Sequence, residues 1–287
     1  MSRGRIEASR RLANYLGLAA VAAFAALALA PLFHIVGVVA LNGLEAVKRS
    51  GLSLLTAPPN PTDPAHPGGI GPALAGTAML VAVAMLFSVL LAIPAGVFIA
   101  EFRRAGVSRL TMLLALILVE FPTVLVGLTV YAVEVERMVG RYNMLAGSLA
   151  LAIVVLPYMA VQVSEALRHV PKELREAAFS LGVSRLTAVY RILVGVARRG
   201  ILVGILIGMA KAAGETAPLL FTIGGYFETA PRSLLDPGGA VSLLIYEYAQ
   251  QPQPGYHVLA WGAALVLLLI VFAIMIVARF FVREVRL

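Results

Sequence analysis

Three charged side chains lie inside stretches of the chain that are otherwise apolar: Glu120, Lys211 and Glu215. A charge at the centre of a bilayer costs about 2.5–3.5 kcal/mol on insertion scales, so such residues usually face a bundle interior or a water-filled path. Lys211 and Glu215 are four residues apart, which on a helix places them on one face and lets them partly neutralise each other. Together with the hydroxyl of Thr216 they indicate a polar route, although a self-satisfied pair that only stabilises its helix has the same pattern.

Two prolines lie close to these charges and predict irregular backbone. Pro122 follows Glu120 and is expected to loosen its helix. Pro218 is expected to free backbone carbonyls after Glu215, and such groups are tolerated at membrane depth only when they are buried in protein or wet. Three interpretations are open for Glu120: it is protonated, it pairs with Lys211 from a neighbouring helix, or it lies near the inner membrane interface.

The composition indicates a membrane protein in which helices hold these residues. Of 287 residues, 60% are hydrophobic and 13% charged, with a mean hydropathy of +0.92. A soluble domain would carry about twice that charged fraction. Six apolar stretches reach the length of about 20 residues that a membrane-crossing helix needs, and none alternates as a barrel strand would. They predict an all-α polytopic membrane protein with six transmembrane helices, near residues 12–41, 73–100, 110–133, 145–167, 201–224 and 256–280.

Positive residues are distributed unevenly around these spans. The two termini and the second and fourth connections carry seventeen Lys and Arg residues, whereas the other three connections carry five. This bias predicts that both termini are cytoplasmic. The net charge of +8 lies at the ends of apolar spans, as expected for a chain facing anionic lipid rather than nucleic acid. A signal peptide cleaved near Ala30 is the alternative for the first span, but the apolar run continues to Leu41.

The connection between the fourth and fifth spans, residues 170–199, is patterned as helix rather than as a plain loop. Pro171 suits a first helical position, and Glu173 and Glu176 suit a first turn. Gly182 either ends this helix or lets the backbone of another protein come close. A basic helix–Gly–helix element on the cytoplasmic face predicts a docking site for another protein.

Patterns that would support catalysis or a metal site are missing from the sequence. There are no cysteines, the four histidines are scattered, and no phosphate-binding loop or HExxH motif occurs. We therefore expect no catalytic residue, no metal site and no cofactor bound by this chain.

Two motifs resemble a known transporter family. The run Glu176-Ala177-Ala178-x-x-x-Gly182 resembles the EAA loop of ABC-importer permeases. The run KAAGETAPLLFT, which begins at Lys211, resembles the signature of the PstA-type permease subunit of phosphate ABC transporters. Those permeases commonly have Arg where this chain has Lys211. The resemblance covers roughly residues 68–287.

The resemblance implies the type I ABC importer permease fold, with six transmembrane helices and a cytoplasmic coupling helix, in the cytoplasmic (inner) membrane. It divides the chain into a tail, first helix and external loop (1–72), a permease domain (73–280) and a cytoplasmic tail (281–287). It also implies a substrate path and a set of residues that couple to an ATPase. The path would be formed by Lys211, Glu215, Thr216 and Glu120, and the coupling set by Glu176, Ala177, Ala178 and Gly182.

The same resemblance implies an importer that moves inorganic phosphate by alternating access. Its expected partners are a second permease subunit of the PstC type, two cytoplasmic ABC ATPases, an extracytoplasmic phosphate-binding protein and membrane lipid, with no nucleic acid. ATP and Mg would be used by the ATPases. A permease for another oxyanion, such as molybdate or sulfate, and an ATPase-independent channel or proton-coupled carrier are the alternatives.

Overall fold

The computed structural model describes residues 3–102, 106–180 and 182–283, and this part of the chain is built almost entirely from helices. Five helices are long and apolar enough to cross a membrane, and one bent pair of helices supplies a sixth crossing if the pair counts as one. The prediction of an all-helical membrane protein with up to six spans is confirmed. Three residues of the predicted charge bias, Arg103, Arg104 and Arg286, lie outside the described residues.

The α-helices of the described residues are numbered in chain order. They are α1 (Arg3–Ser50), α2 (Ser53–Thr56), α3 (Gly71–Glu101), α4 (Gly106–Val119), α5 (Thr123–Val130), α6 (Met144–Arg168), α7 (Lys172–Ser180), α8 (Arg185–Thr187), α9 (Val194–Gly214), α10 (Val241–Ala249) and α11 (Pro254–Arg283). Three short irregular helices occur beside them. A π-helix follows α5 (Tyr131–Val139), another precedes α9 (Ala188–Leu193), and a 3-10 turn follows α9 (Leu219–Phe221).

The helices α3 and α6 pack along each other at the centre, with α9 and α11 alongside. Small residues make this close approach possible, as is usual between membrane helices. A Cβ added to Gly96 of α3 would lie 2.6 Å from the carbonyl oxygen of Ala160 in α6. A Cβ added to Gly208 of α9 would lie 2.8 Å from Cγ of Met159 in α6. We call the end of the bundle that carries α7 the inner end, and the end where α3 and α6 begin the outer end.

The third predicted span is broken, as the proline at its centre indicated. The helix α4 stops at Val119, and the chain turns by 96° before α5 begins at Thr123. Pro122 occupies the position just before α5, where its fixed φ is compatible with a helix start and its missing N–H removes no helical bond. The helical path then runs to Val139 rather than to 133, and it ends at Gly140, whose φ is +78°.

The fifth predicted span is too long at its outer end. The sequence predicted helix over 201–224, but α9 ends at Gly214 and the following residue is extended. The chain then forms one 3-10 turn and an irregular segment before α10 packs against α11. Pro218 therefore begins the 3-10 turn after the helix end and does not itself interrupt α9.

The first helix is longer than the predicted 12–41, since α1 runs from Arg3 to Ser50. Its later part contacts α11, where a Cβ added to Gly43 would lie 2.4 Å from Cβ of Leu265. Residues 14–35 are exposed along their whole length. This apolar stretch therefore packs against lipid or another subunit rather than against the described residues of its own chain.

Candidate functional site

Lys211 and Glu215 lie at the point where α9 ends. Lys211 belongs to the last turn, and Glu215 is the first residue beyond it, with extended backbone (φ −72°, ψ 133°). The Nζ of Lys211 lies 3.7 Å from Oε1 of Glu215, and their side chains are 36% and 17% exposed. The two charges meet across a helix end rather than along one helix face, so the predicted geometry is wrong although the pair forms. A cation is favoured here because the last turn of a helix carries partial negative charge.

The separation of this pair determines what it can do. A distance of 3.7 Å brings the charges together but exceeds the length of a hydrogen bond. Within the described part of the chain no hydrogen bond joins the Lys211 ammonium to another group, so its three N–H donors are available to a ligand. A loosely paired, partly exposed ammonium can attract an anion, while the adjacent carboxylate limits how tightly the anion is held.

The start of α10 supports the broken backbone beside this pair. The hydroxyl of Ser242 donates to the carbonyl oxygen of Glu215 at 2.7 Å. The amide of Val241 donates to Oγ1 of Thr77 in α3 at 2.9 Å. Because backbone polar groups at membrane depth must be satisfied by protein or water, these contacts let α9 stop inside the bundle. The sequence analysis did not identify Ser242 or Thr77, whose partners are distant in sequence.

The bent third span contacts the same break. A Cβ added to Gly127 of α5 would lie 2.6 Å from Cα of Pro218 and 2.7 Å from its carbonyl oxygen. Glycine is therefore required at this position for α5 to lie against the segment after Thr216. The Pro218 carbonyl also accepts a bond of 3.0 Å from the hydroxyl of Thr222, so it is not left unsatisfied.

Glu120 occupies a different environment from the Lys211–Glu215 pair. It lies at the bend between α4 and α5 and is exposed. Among the described residues no ion pair joins Glu120 to Lys211. Of the three interpretations that the sequence left open for Glu120, pairing with Lys211 is the one that does not occur among the described residues.

At the inner end, α7 presents two different faces. Ala178 is 3% exposed and packs with Val97, Leu167 and neighbouring apolar residues, so it faces the bundle. Glu176 and Ala177 are exposed on the other side. The residues of the predicted coupling set therefore differ in environment. Ala178 packs α7 against the bundle, whereas Glu176 and Ala177 are accessible to another protein.

Gly182 closes this element with left-handed backbone. Its φ is +69°, which residues with a Cβ adopt at a cost. An added Cβ would meet nothing within 4 Å, and the residue is exposed. The backbone turn, rather than crowding within this chain, is therefore the reason for glycine here.

A partly buried ion pair that the sequence did not reveal ties α7 to α3. Nη1 of Arg175 donates to Oε1 of Glu101, the last residue of α3. Nη2 of Arg175 donates to the carbonyl oxygen of Leu167 in α6 at 3.0 Å. The Glu101 side chain is 2% exposed. Glu101 and Arg175 are 74 residues apart in the chain, so only tertiary structure shows that they pair.

An aromatic cluster lies at the outer end, between the irregular segment and α11. Tyr248 is buried, with Phe227 and Tyr256 packed edge-on at ring-centroid distances of 5.5 and 4.7 Å. Burial, and then the neighbouring Tyr256 and acidic groups, raise the pKa of Tyr248 far above its ordinary value. Burial also raises the pKa of the adjacent Glu247 carboxyl. This cluster anchors α10 through packing.

Known proteins of similar sequence identify the family of this chain. Residues 92–287 match the family described as "Binding-protein-dependent transport system inner membrane component". The chain is 44% identical over 242 residues to a probable phosphate transport system permease protein PstA of Methanocaldococcus jannaschii, covering 84% of each chain. It is 32% identical over 280 residues to a phosphate transport system permease protein PstA of Yersinia pestis, covering 97% of this chain and 92% of that one.

A solved structure shares the fold. One chain of the inward-facing MetNI methionine ABC transporter superposes with a TM-score of 0.58 at 20% identity, covering 74% of this chain and 94% of that one. At that identity the likeness concerns the fold alone. With the family match over more than half of its length, this chain belongs to the binding-protein-dependent transport system inner membrane component family.

Proposed function

We propose that this chain is the permease subunit through which inorganic phosphate crosses the cytoplasmic membrane in an ATP-driven importer. The observation that carries the proposal is the Lys211–Glu215 pair at the end of α9, in a chain whose relatives are named phosphate transport permeases. The ammonium is the charge that a phosphate anion requires, and it lies where helical backbone gives way to an irregular segment. No feature of the described residues favours another oxyanion or a channel that works without an ATPase.

In the proposed path, Lys211 attracts the anion and Glu215 prevents it from being held too strongly. Conduction requires a site that is favourable enough to enter and weak enough to leave. Lys presents a compact charge, whereas Arg would offer two parallel donors that match phosphate oxygens. Thr216 supports this pair, since it begins the turn that carries the chain away from α9. Glu120, exposed at the bend between α4 and α5, would contribute only a negative potential to the path.

The exposed face of α7 is the proposed docking surface for a cytoplasmic ABC ATPase. Both termini and α7 then lie on the cytoplasmic side, in agreement with the distribution of Lys and Arg. The full importer would comprise this chain, a second permease of the PstC type, two ATPases that use ATP and Mg, and an extracytoplasmic phosphate-binding protein. Binding and hydrolysis of ATP would move α7 and alternate the access of the path.

The substrate is tested with the complete importer reconstituted in liposomes. We expect ATP-dependent uptake of labelled phosphate, with labelled sulfate and molybdate taken up far more slowly when each is supplied with the same phosphate-binding protein. Uptake that proceeds equally well without the ATPases would contradict an ATP-driven importer. Preferential uptake of sulfate or molybdate would contradict phosphate as the substrate.

The docking surface is tested by reversing a charge on α7. Glu176→Lys is expected to weaken co-purification with the ATPase and to reduce uptake, because Glu176 lies on the exposed face. Glu136→Lys is the matched control, since Glu136 is also exposed but lies in the π-helix toward the outer end. Normal uptake and normal assembly in the Glu176 variant would count against this surface.

A further inference from the structure

We propose that the partly buried Glu101–Arg175 ion pair is the link through which displacement of α7 moves α3, and that both residues are positioning residues for transport. This inference rests on the proposed function, because an ATPase must supply the displacement. The pair joins α7 to a helix that is remote in sequence. The chain connects α7 directly to α6 and toward α9, whereas α3 can follow α7 only through non-covalent contacts.

The position of Glu101 is unfavourable on two grounds. It is the last residue of α3, where the helix dipole already places partial negative charge. Its side chain is also 2% exposed, and a buried carboxylate is strongly destabilising unless a cation and hydrogen bonds compensate for lost water. Arg175 supplies a cation and a hydrogen bond to this carboxylate. An acidic side chain at this site contributes little to stability on its own account, which points to a role in joining elements.

Arg175 joins three helices through one guanidinium group. It donates to Glu101 at the end of α3 and, at 3.0 Å, to the Leu167 carbonyl near the end of α6. The planar guanidinium group fixes the direction of both bonds. The contact that Ala178 makes with the bundle is apolar and has no preferred direction. The ion pair therefore sets the register of α7 against α3, whereas apolar packing alone would let α7 slide.

The helix α3 continues this connection to the proposed path. Near its outer end, Thr77 accepts a hydrogen bond from the amide of Val241. The next residue, Ser242, donates to the Glu215 carbonyl beside Lys211. A continuous series of direct contacts thus joins the inner-end ion pair, the body of α3, the start of α10 and the end of α9. Such a series is a physical basis for coupling, and measured coupling is the test of it.

The test uses the complete reconstituted importer and measures phosphate uptake and ATP hydrolysis together. E101Q and R175Q are expected to assemble and to hydrolyse ATP, but to consume at least about fivefold more ATP for each phosphate taken up, the lower end of typical coupling between sites. The exchanged pair E101R/R175E is expected to restore much of the native ratio. A purely structural role would lower assembly, uptake and hydrolysis together and leave their ratio unchanged.

A matched control lies at the same end of the bundle. Glu165 and Arg168 form an ion pair of 2.6 Å within α6 that joins no second helix. E165Q and R168Q should therefore keep the native ratio of ATP hydrolysed to phosphate transported. Native ratios in E101Q and R175Q, or loss of all activities without recovery in the exchanged pair, would overturn the link and leave the proposed function intact. Absence of ATP-driven uptake by the unaltered importer would overturn both.

Discussion

Replacing Lys211 by Gln keeps a polar side chain but removes the positive charge at the end of α9, so we expect phosphate uptake to fall. At the observed separation of 3.7 Å, two unit charges interact by about 4 kcal/mol at an effective dielectric constant of 20 and by about 1 kcal/mol in bulk water. The Lys211 side chain is 36% exposed, so a value near the lower limit applies. Removing the ammonium would therefore weaken the binding free energy of an anion that approaches as closely as Glu215 by about 1–2 kcal/mol. Its occupancy of the site would fall about tenfold.

The double variant K211Q/E215Q tests the electrostatic explanation more sharply than the single exchange. In K211Q the Glu215 carboxylate remains beside the path without its counter-charge and repels the anion. Removing that carboxylate as well should restore part of the uptake, so the double variant should transport faster than K211Q. E215Q alone should bind phosphate more tightly and release it more slowly, because the ammonium then acts without opposition.

These variants are compared by initial rates of labelled phosphate uptake in liposomes that contain the complete importer and ATP. Co-purification of the subunits shows whether each variant assembles. K48Q is the matched control, because Lys48 is an exposed lysine in the last turn of α1, and it should transport at the native rate. Native uptake by K211Q, or slower uptake by the double variant than by K211Q, would refute the reasoning.

Three further substitutions have expected outcomes that follow from single positions. Gly127→Ala should lower the stability of the solubilised protein by about 1–3 kcal/mol, because the new Cβ would lie 2.6 Å from Cα of Pro218. Gly195→Ala is the control: Gly195 has open space around it, so this change should not lower the melting temperature. Gly182→Val should impair the coupling of ATP hydrolysis to uptake more than Gly182→Asn does. The φ of Gly182 is +69°, and Asn tolerates such left-handed backbone better than Val. Equal effects of the two substitutions would exclude a backbone cause. Burial raises the pKa of the Glu247 carboxyl, so the folded state binds the carboxyl proton more tightly than the unfolded state. The free energy of unfolding should therefore decline as the pH rises from the ordinary carboxyl pKa through the raised pKa. Glu247→Gln should remove this component from the unfolding midpoint measured against pH, and an unchanged pH profile would contradict it.

Most of the helical architecture could be predicted from the sequence because a membrane restricts the chain to helices of sufficient apolar length. The bend at Pro122 was also predictable, since proline acts on its own helix. The end of α9 was not. Residues 215–224 remain apolar enough to be interpreted as helix, and the helix stops because Ser242 and other distant groups satisfy the backbone beyond Gly214.

The helix α7 was predictable for a similar reason, because it depends on local signals within ten residues. Its orientation was not predictable from those signals. Ala178 faces inward while Glu176 and Ala177 face outward, and that choice depends on the ends of α3 and α6. The sequence therefore predicted the helical segment but could not distinguish the residue that packs against the bundle from the residues that are exposed.

The pair between Glu101 and Arg175 illustrates how a local conflict can locate a long-range contact. In the sequence, Arg175 is one of several cations in the fourth connection, and nothing near it indicates a partner 74 residues away. The detectable sign was at the other residue, since a carboxylate at the C-terminal end of a helix opposes the helix dipole. Real proteins break such local rules chiefly at functional positions. Arg175 of α7 supplies a cation at Glu101, so this contact also fixes α7 to α3. The outer end of α3 in turn contacts the start of α10 beside Glu215.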